Sequence, residues 1–124
     1  MCAFTNCINL QNVSLPCLTA IGEHAFENCI NLQKLNFNNP LSLDNYCFSG
    51  CNNLVSLNFL YNVTSDGWVG TIMPYTFSYS PFDWDYAEAN NLSKGYLYVK
   101  NISIFTAATN WTALNPSMFR LLST

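Results

Sequence analysis

A block of eight residues occurs three times at a fixed step, and that step limits the possible folds more than any other feature of the chain. Ala3-Phe4-Thr5-Asn6-Cys7-Ile8-Asn9-Leu10 comes back as Ala25-Phe26-Glu27-Asn28-Cys29-Ile30-Asn31-Leu32. It returns again as Cys47-Phe48-Ser49-Gly50-Cys51-Asn52-Asn53-Leu54, each copy 22 residues after the last. The register runs on beyond the block: Val13, Leu35 and Leu57 share a column, Leu15, Phe37 and Phe59 the next, and Ile21 and Leu43 a third. A unit this short has no interior of its own, so it must stack on its neighbours to make one.

Each copy ends in Leu-x-x-Leu-x-Leu/Phe or a close variant, whose last two apolar positions alternate with polar ones as a strand buried on one face requires. A 22-residue period leaves no room for a full helix, so the return path is a turn, a short extended piece around 18–21 and one helical turn near Phe26. Successive strands then pair in parallel, and the Leu, Phe and Cys columns run together as one core. The length of 124 residues suits a single domain, with repeats over about 2–23, 24–45 and 46–60.

After Phe59 the register breaks. Val99 follows Phe59 by 40 residues where one period gives 22, which implies about 18 inserted residues, and the segment 60–95 is read as that insertion. Within it Asp66-Gly67 reads as a turn. Ser80-Pro81 followed by Phe82, Asp83 and Asp85 reads as a helix start, and Lys94-Gly95 as its end, with Phe82, Tyr86 and Ala89 on one face. Tyr61, Trp68, Tyr75, Phe77, Tyr79, Phe82, Trp84 and Tyr86 are too many aromatics for a free loop, so most must pack on the repeats. Tyr96-Leu97-Tyr98-Val99 restores the strand. Asn101 caps a helix to about Asn110 carrying Ile102, Phe105 and Ala108, so 96–124 is the last strand with a lid over the final repeat.

The run from Leu18 to Leu35, with its Ile21-Gly22, Ala25-Phe26, Cys29, Leu32 and Leu35, resembles the BspA-like (Treponema-type) leucine-rich repeat. That repeat usually reads Leu-x-x-Ile-Gly-x-x-Ala-Phe-x-x-Cys-x-x-Leu-x-x-Ile-x-Leu-Pro, and Leu15-Pro16 supplies the closing pair. The likeness covers residues 2–59, with Asp44 in place of Gly, Cys47 in place of Ala and Pro40 where Leu is usual. The stretch from Tyr98 through Ile102 and Phe105 to Trp111 is similar to the helical ending of such arrays. The resemblance implies an α/β leucine-rich-repeat solenoid with short parallel strands, few short helices and a C-terminal helical cap. It implies a non-catalytic binding or adhesion module of a cell-surface or secreted protein, meeting a protein or glycan partner such as a host surface. An intracellular protein-interaction scaffold is the alternative.

The residues that could carry chemistry point the same way. Cys7, Cys29 and Cys51 occupy one column, where free cysteines pack as small buried hydrophobes, so a reduced ladder is expected. Cys47 and Cys51 with His24 match no common zinc spacing, and Cys2 and Cys17 fall at variable surface positions. His24 is the sole histidine, and a Cys-His nucleophilic pair would need it beside a thiol that the ladder buries; no enzyme, metal or cofactor is expected. Asp83, Asp85 and Glu88 lack the glycine and spacing of a calcium loop and read as a solvated helix face. Net charge is −3 with only Lys34, Lys94, Lys100 and Arg120 as cations, which offers no basic stripe to phosphates, so nucleic acid is not an expected partner. No apolar run approaches the roughly 18 to 20 residues of a membrane span, and the N-terminal residues lack signal-peptide features, so an export signal would lie upstream or have been removed. Asn-x-Ser/Thr sequons at Asn12, Asn62, Asn91, Asn101 and Asn110 are little more than an Asn-rich composition produces by chance.

In stacked strands the side chains that do not enter the core form columns on one face. Here these are Asn12 and Ser14, Lys34 and Asn36, Ser56 and Asn58, then Tyr96 and Tyr98. The first three pairs are small and polar, and the tyrosines add the anchor that recognition surfaces favour. The segment 60–95 is a second candidate, as loops on rigid scaffolds often carry function. Replacing Phe26, in the middle copy, by Ala should cost about 3 to 5 kcal/mol; a thermal melt with no loss would refute the proposed register.

Overall fold

The computed structural model describes residues 12–15 and 19–122. The first copy's Ala3–Leu10, with Phe4 and Cys7, and the thiols of Cys2 and Cys17 lie outside the described residues. Eight strands form among those described: β1 (Asn12–Leu15), β2 (Ala20–Ile21), β3 (Lys34–Phe37), β4 (Ser42–Leu43), β5 (Ser56–Phe59), β6 (Thr71–Ile72), β7 (Tyr96–Val99) and β8 (Phe119–Leu121). They make two parallel sheets, one ordered β1-β3-β5-β7-β8 and one β2-β4-β6. This is an α/β repeat fold.

Register follows the columns of the sequence. Val13 lies opposite Leu35, Leu35 opposite Leu57 and Leu57 opposite Leu97, while Leu15, Phe37 and Phe59 fall in line beside them. In the smaller sheet Ile21, Leu43 and Ile72 do the same. The turns between the sheets also stack, through backbone bonds from Phe26 N to Cys47 O (2.9 Å) and Asn28 N to Ser49 O (2.8 Å). One repeat later Tyr46 N donates to Tyr75 O (2.9 Å) and Gly50 N to Tyr79 O (2.8 Å). Phe26, Phe48 and Phe77 form a stack through the interior with centroid spacings of 6.2 and 6.1 Å, within the range in which aromatic pairs attract beyond their buried area.

The segment 60–95 is not one insertion. It contains a further copy of the repeat, in which β6 pairs with β4 and Phe77 stacks on Phe48. Thr76 takes the column of Ala25 and Cys47, and Ser80 that of Cys29 and Cys51. Both hydroxyls are fully buried, Thr76 Oγ1 donating to Leu43 O (2.8 Å) and Ser80 Oγ to Phe77 O (2.7 Å), so the cost of burying them is largely met. The surplus length is divided. Ile72 follows Leu43 by 29 residues, seven beyond a period, and Leu97 follows Ser80 by 17 where Leu57 follows Cys51 by six, eleven more.

The second surplus builds α1 (Trp84–Ala89), shorter than the sequence suggests. Its N-cap is Asp83, whose Oδ1 accepts from Tyr86 N (3.2 Å); the Ser80 hydroxyl instead donates to Phe77 O and accepts from Phe82 N (3.3 Å), in the turn ahead of the helix. The start therefore shifts, Ala87 becomes the buried helix residue, Ala89 is exposed, and Phe82 is buried ahead of the helix. Farther on, α2 (Ile102–Ala107) is capped by Asn101, whose Oδ1 accepts from Ile104 N (3.3 Å). It stops at Ala108, where the backbone turns extended, short of Asn110. Single 3-10 turns at Trp111–Ala113 and Pro116–Met118 lead into β8. The C-terminal segment is thus mixed, and its last strand adds itself to the larger sheet.

This segment is fastened by aromatics. Phe105 and Trp111 lie 5.5 and 5.8 Å from Phe59 by ring centroid, and Trp111 Nε1 donates to Gly70 O (3.1 Å). Gly70 sits at φ +100°, and a Cβ there would meet the backbone of Leu41, colliding with its carbonyl oxygen and lying 2.9 Å from its nitrogen. Gly67, at φ +74°, has open space around it. Gly70→Ala should therefore destabilise by more than about 2 kcal/mol and Gly67→Ala by only about 1 kcal/mol. Chemical denaturation of the two variants checks this, and equal losses would contradict the close approach of 70 to 41.

Candidate recognition surface

Strand alternation turns Leu35, Phe37, Leu57, Phe59, Leu97 and Val99 inward, where each is at most 1% exposed. The residues between them face out. Lys34 is exposed, and Asn36, Ser56, Asn58, Tyr96 and Tyr98 are half-buried by their neighbours across the strands. Asn12 and Ser14 of β1 occupy the register positions opposite Lys34 and Asn36. The polar rows are bonded to one another: Ser56 Oγ donates to Asn58 Oδ1 (3.0 Å) and Asn58 Nδ2 to Asn36 Oδ1 (2.8 Å). The amides are thereby held in fixed orientation, the cross-strand coupling that like pairs provide on a sheet.

At the C-terminal end the face changes character. Trp84 of α1 donates through Nε1 to Gly95 O (3.0 Å), which sets its ring against Tyr96 at 5.6 Å and 67°. Lys94 Nζ lies 4.8 Å over the Trp84 ring, and the Arg120 guanidinium 4.5 Å over the Tyr96 ring. Arg120 is opposite Tyr98 in register. Sequence reading finds Tyr96 and Tyr98 but not Trp84, Lys94 or Arg120, which reach this spot from α1, the loop before β7, and β8. A strand of three residues such as β8 is too short to show a period.

A second aromatic feature runs along the turn edge. His24 stacks on Tyr46 (5.5 Å, 13°) and Tyr46 on Tyr75 (5.6 Å, 6°), with Tyr79 6.0 Å from Tyr46. Tyr75 and Tyr79 are more than half exposed. Of the eight aromatics in 60–95, Tyr61, Phe77 and Phe82 are buried, while Trp68, Tyr75 and Tyr79 are exposed. An open cleft of about 500 Å³ lies between Ile72, Met73, Phe77 and Phe82 on one side and Asn110, Ala113 and Leu114 on the other. Its carboxylate, Asp83, is the α1 cap.

Cys29, Cys47 and Cys51 are reduced and fully buried. Cys51 Sγ donates to Phe26 O (2.8 Å); burial, with Cys29 close by, pushes its thiol up to about 12. Burial also raises Cys47 well above the ordinary thiol range. His24 Nδ1 is 3.0 Å from Glu27 Oε2, and its ring lies on Tyr46. No group of three or more metal-binding side chains occurs among the described residues. None of the helices there is long and apolar enough to cross a membrane.

Two parallel sheets with like residues in register, one short strand of each per repeat, define a leucine-rich-repeat protein. The family model described as BspA type leucine rich repeat region (6 copies) matches residues 1–81, and the chain belongs to that family, whose repeats are in general non-catalytic elements of protein interaction. The match extends past the third copy to take in Phe77 and Ser80. No curated protein and no solved structure matched the chain.

Because the thiolate is the reactive form, Cys29, Cys47 and Cys51 should resist a maleimide reagent at pH 8 while the protein is folded and react fully in guanidinium. Peptide mapping by mass spectrometry reads this out, and rapid native labelling of Cys51 would contradict its burial.

Proposed function

We propose that this chain is a binding part of a leucine-rich-repeat solenoid, its last repeat covered by the mixed helical and strand segment after β7, and that it presents its larger sheet to a protein or glycan partner in adhesion at the cell surface or after secretion. The observation that carries the reading is the outward register of β3, β5, β7 and β8. It forms one face whose amides are fixed by mutual hydrogen bonds and whose end carries aromatic rings and cations. Tyrosine, tryptophan and arginine are the side chains on which binding energy concentrates, and rings already held in place lose little freedom when a partner arrives. Asn12, Ser14, Lys34, Asn36, Ser56, Asn58, Tyr96 and Tyr98 are the proposed contacts. The exported placement rests on the family resemblance; labelling intact against permeabilised cells with an antibody to the chain separates it from an intracellular scaffold.

The central test is a pull-down with the immobilised chain against a variant with Lys34, Asn36, Tyr96 and Tyr98 all replaced by Ala. Loss of the captured partner with an unchanged melting profile is the expected result. Retention of every captured species by the variant would remove the face from consideration.

A further inference from the structure

The charges of this protein are sorted by face. It has seven carboxylates and four cationic side chains apart from its one histidine, yet no carboxylate lies in any strand of either sheet. Glu23, Glu27 and Asp44 sit in the turns after β2 and β4, Asp66 in the loop before β6, and Asp83, Asp85 and Glu88 on or beside α1. All four cations instead belong to the larger sheet or its immediate flanks: Lys34 in β3, Arg120 in β8, and Lys94 and Lys100 on either side of β7. A chain that is anionic overall thus offers an acid-free, cationic sheet face.

The arrangement of two of these cations narrows what they serve. Lys94, Trp84, Tyr96 and Arg120 form a row in which each ring carries a cation on its face. Among the described residues no carboxylate is within ion-pairing distance of Lys34, Lys94, Lys100 or Arg120. Asp83 and Asp85, which flank Trp84 in sequence, line a cleft toward Ala113, Leu114, Asn115 and Met118. The Arg120 guanidinium carbon lies 4.5 Å over the Tyr96 ring, and a guanidinium over a ring can still turn N–H donors to a carboxylate, which it takes through two parallel hydrogen bonds. The same stacking covers one face of each of those two rings.

We infer that the end of the sheet formed by Trp84, Tyr96, Tyr98 and Arg120, with Lys94, docks an extended acidic peptide segment of a partner protein. Its carboxylates meet Arg120 and Lys94, and its backbone runs over the Asn36 and Asn58 amides. This inference rests on the sheet being the recognition face, and it specifies the partner's chemistry. Opposite charge steers the encounter and excludes basic competitors, while the tyrosines supply apolar contact.

The test selects peptides from a random phage-displayed library on the chain and measures the winners as labelled synthetic peptides by fluorescence anisotropy. Selection should enrich Asp and Glu. Arg120→Gln and Lys94→Gln should each weaken binding about tenfold or more, with circular dichroism unchanged, and added salt should weaken the parent but affect the double variant less. Enrichment of neutral peptides whose binding is lost in Tyr98→Ala overturns the acidic partner but keeps the face. Peptides insensitive to every face substitution overturn both. A heparin fragment that binds through Arg120 when no peptide is selected overturns the peptide in favour of an anionic glycan, and no binding of either probe overturns the inference while leaving the face to the pull-down.

Discussion

Everything in this fold depends on like residues lying over like, because one 22-residue repeat encloses nothing. The strength of that demand shows in the backbone. Asn28, Gly50 and Tyr79 occupy one column, and all three are left-handed, with φ of 61°, 76° and 60°. Asn and Gly visit this region readily, whereas an aromatic residue there costs about 1 to 2 kcal/mol. Tyr79 adopts it because the turn must present its carbonyl to Gly50 N, 2.8 Å away. A residue with another local preference is thus bent to the shape of its neighbours, as expected where stacking rather than propensity decides conformation.

The same rule explains what could be read in the sequence. Columns made of identical residues were legible, and the pairing of Leu35 with Leu57 or Ile21 with Leu43 follows from the period alone. The copy around Phe77 was hidden for two physical reasons. Its core positions carry Thr76 and Ser80, hydroxyls that look like surface residues until their bonds to Leu43 O and Phe77 O are seen. Its spacing is stretched on both sides. Ser80-Pro81 then resembles a helix start, although the carboxylate that caps α1 is Asp83, three residues on. A propensity signal was present at both places, and tertiary contacts chose between them.

The candidate face was half legible. Alternation along each strand points out Lys34, Asn36, Ser56, Asn58, Tyr96 and Tyr98 without coordinates. Which of them differ in chemistry is set by residues distant in sequence. Arg120 reaches Tyr96 only because β8 joins the sheet beyond β7, and β8 is held there by Phe119 packing on Phe105 at 6.2 Å. Trp84 reaches Tyr96 only because its indole is tied to Gly95 O. Neither contact has a local signature.

Both departures from the 22-residue step build the C-terminal part of this fold. The seven extra residues bring Gly70 against Leu41 and offer its carbonyl to Trp111, which fixes the C-terminal segment. The eleven extra residues make α1 and place Trp84 beside the sheet. The regular copies contribute rows of Asn and Ser, which more repeats would lengthen without changing their chemistry. The cation and ring cluster, in contrast, depends on β8, α1 and β7 meeting, so the regular step alone does not produce it. What is distinctive on this face therefore comes from the irregular spacing rather than from the repeat itself.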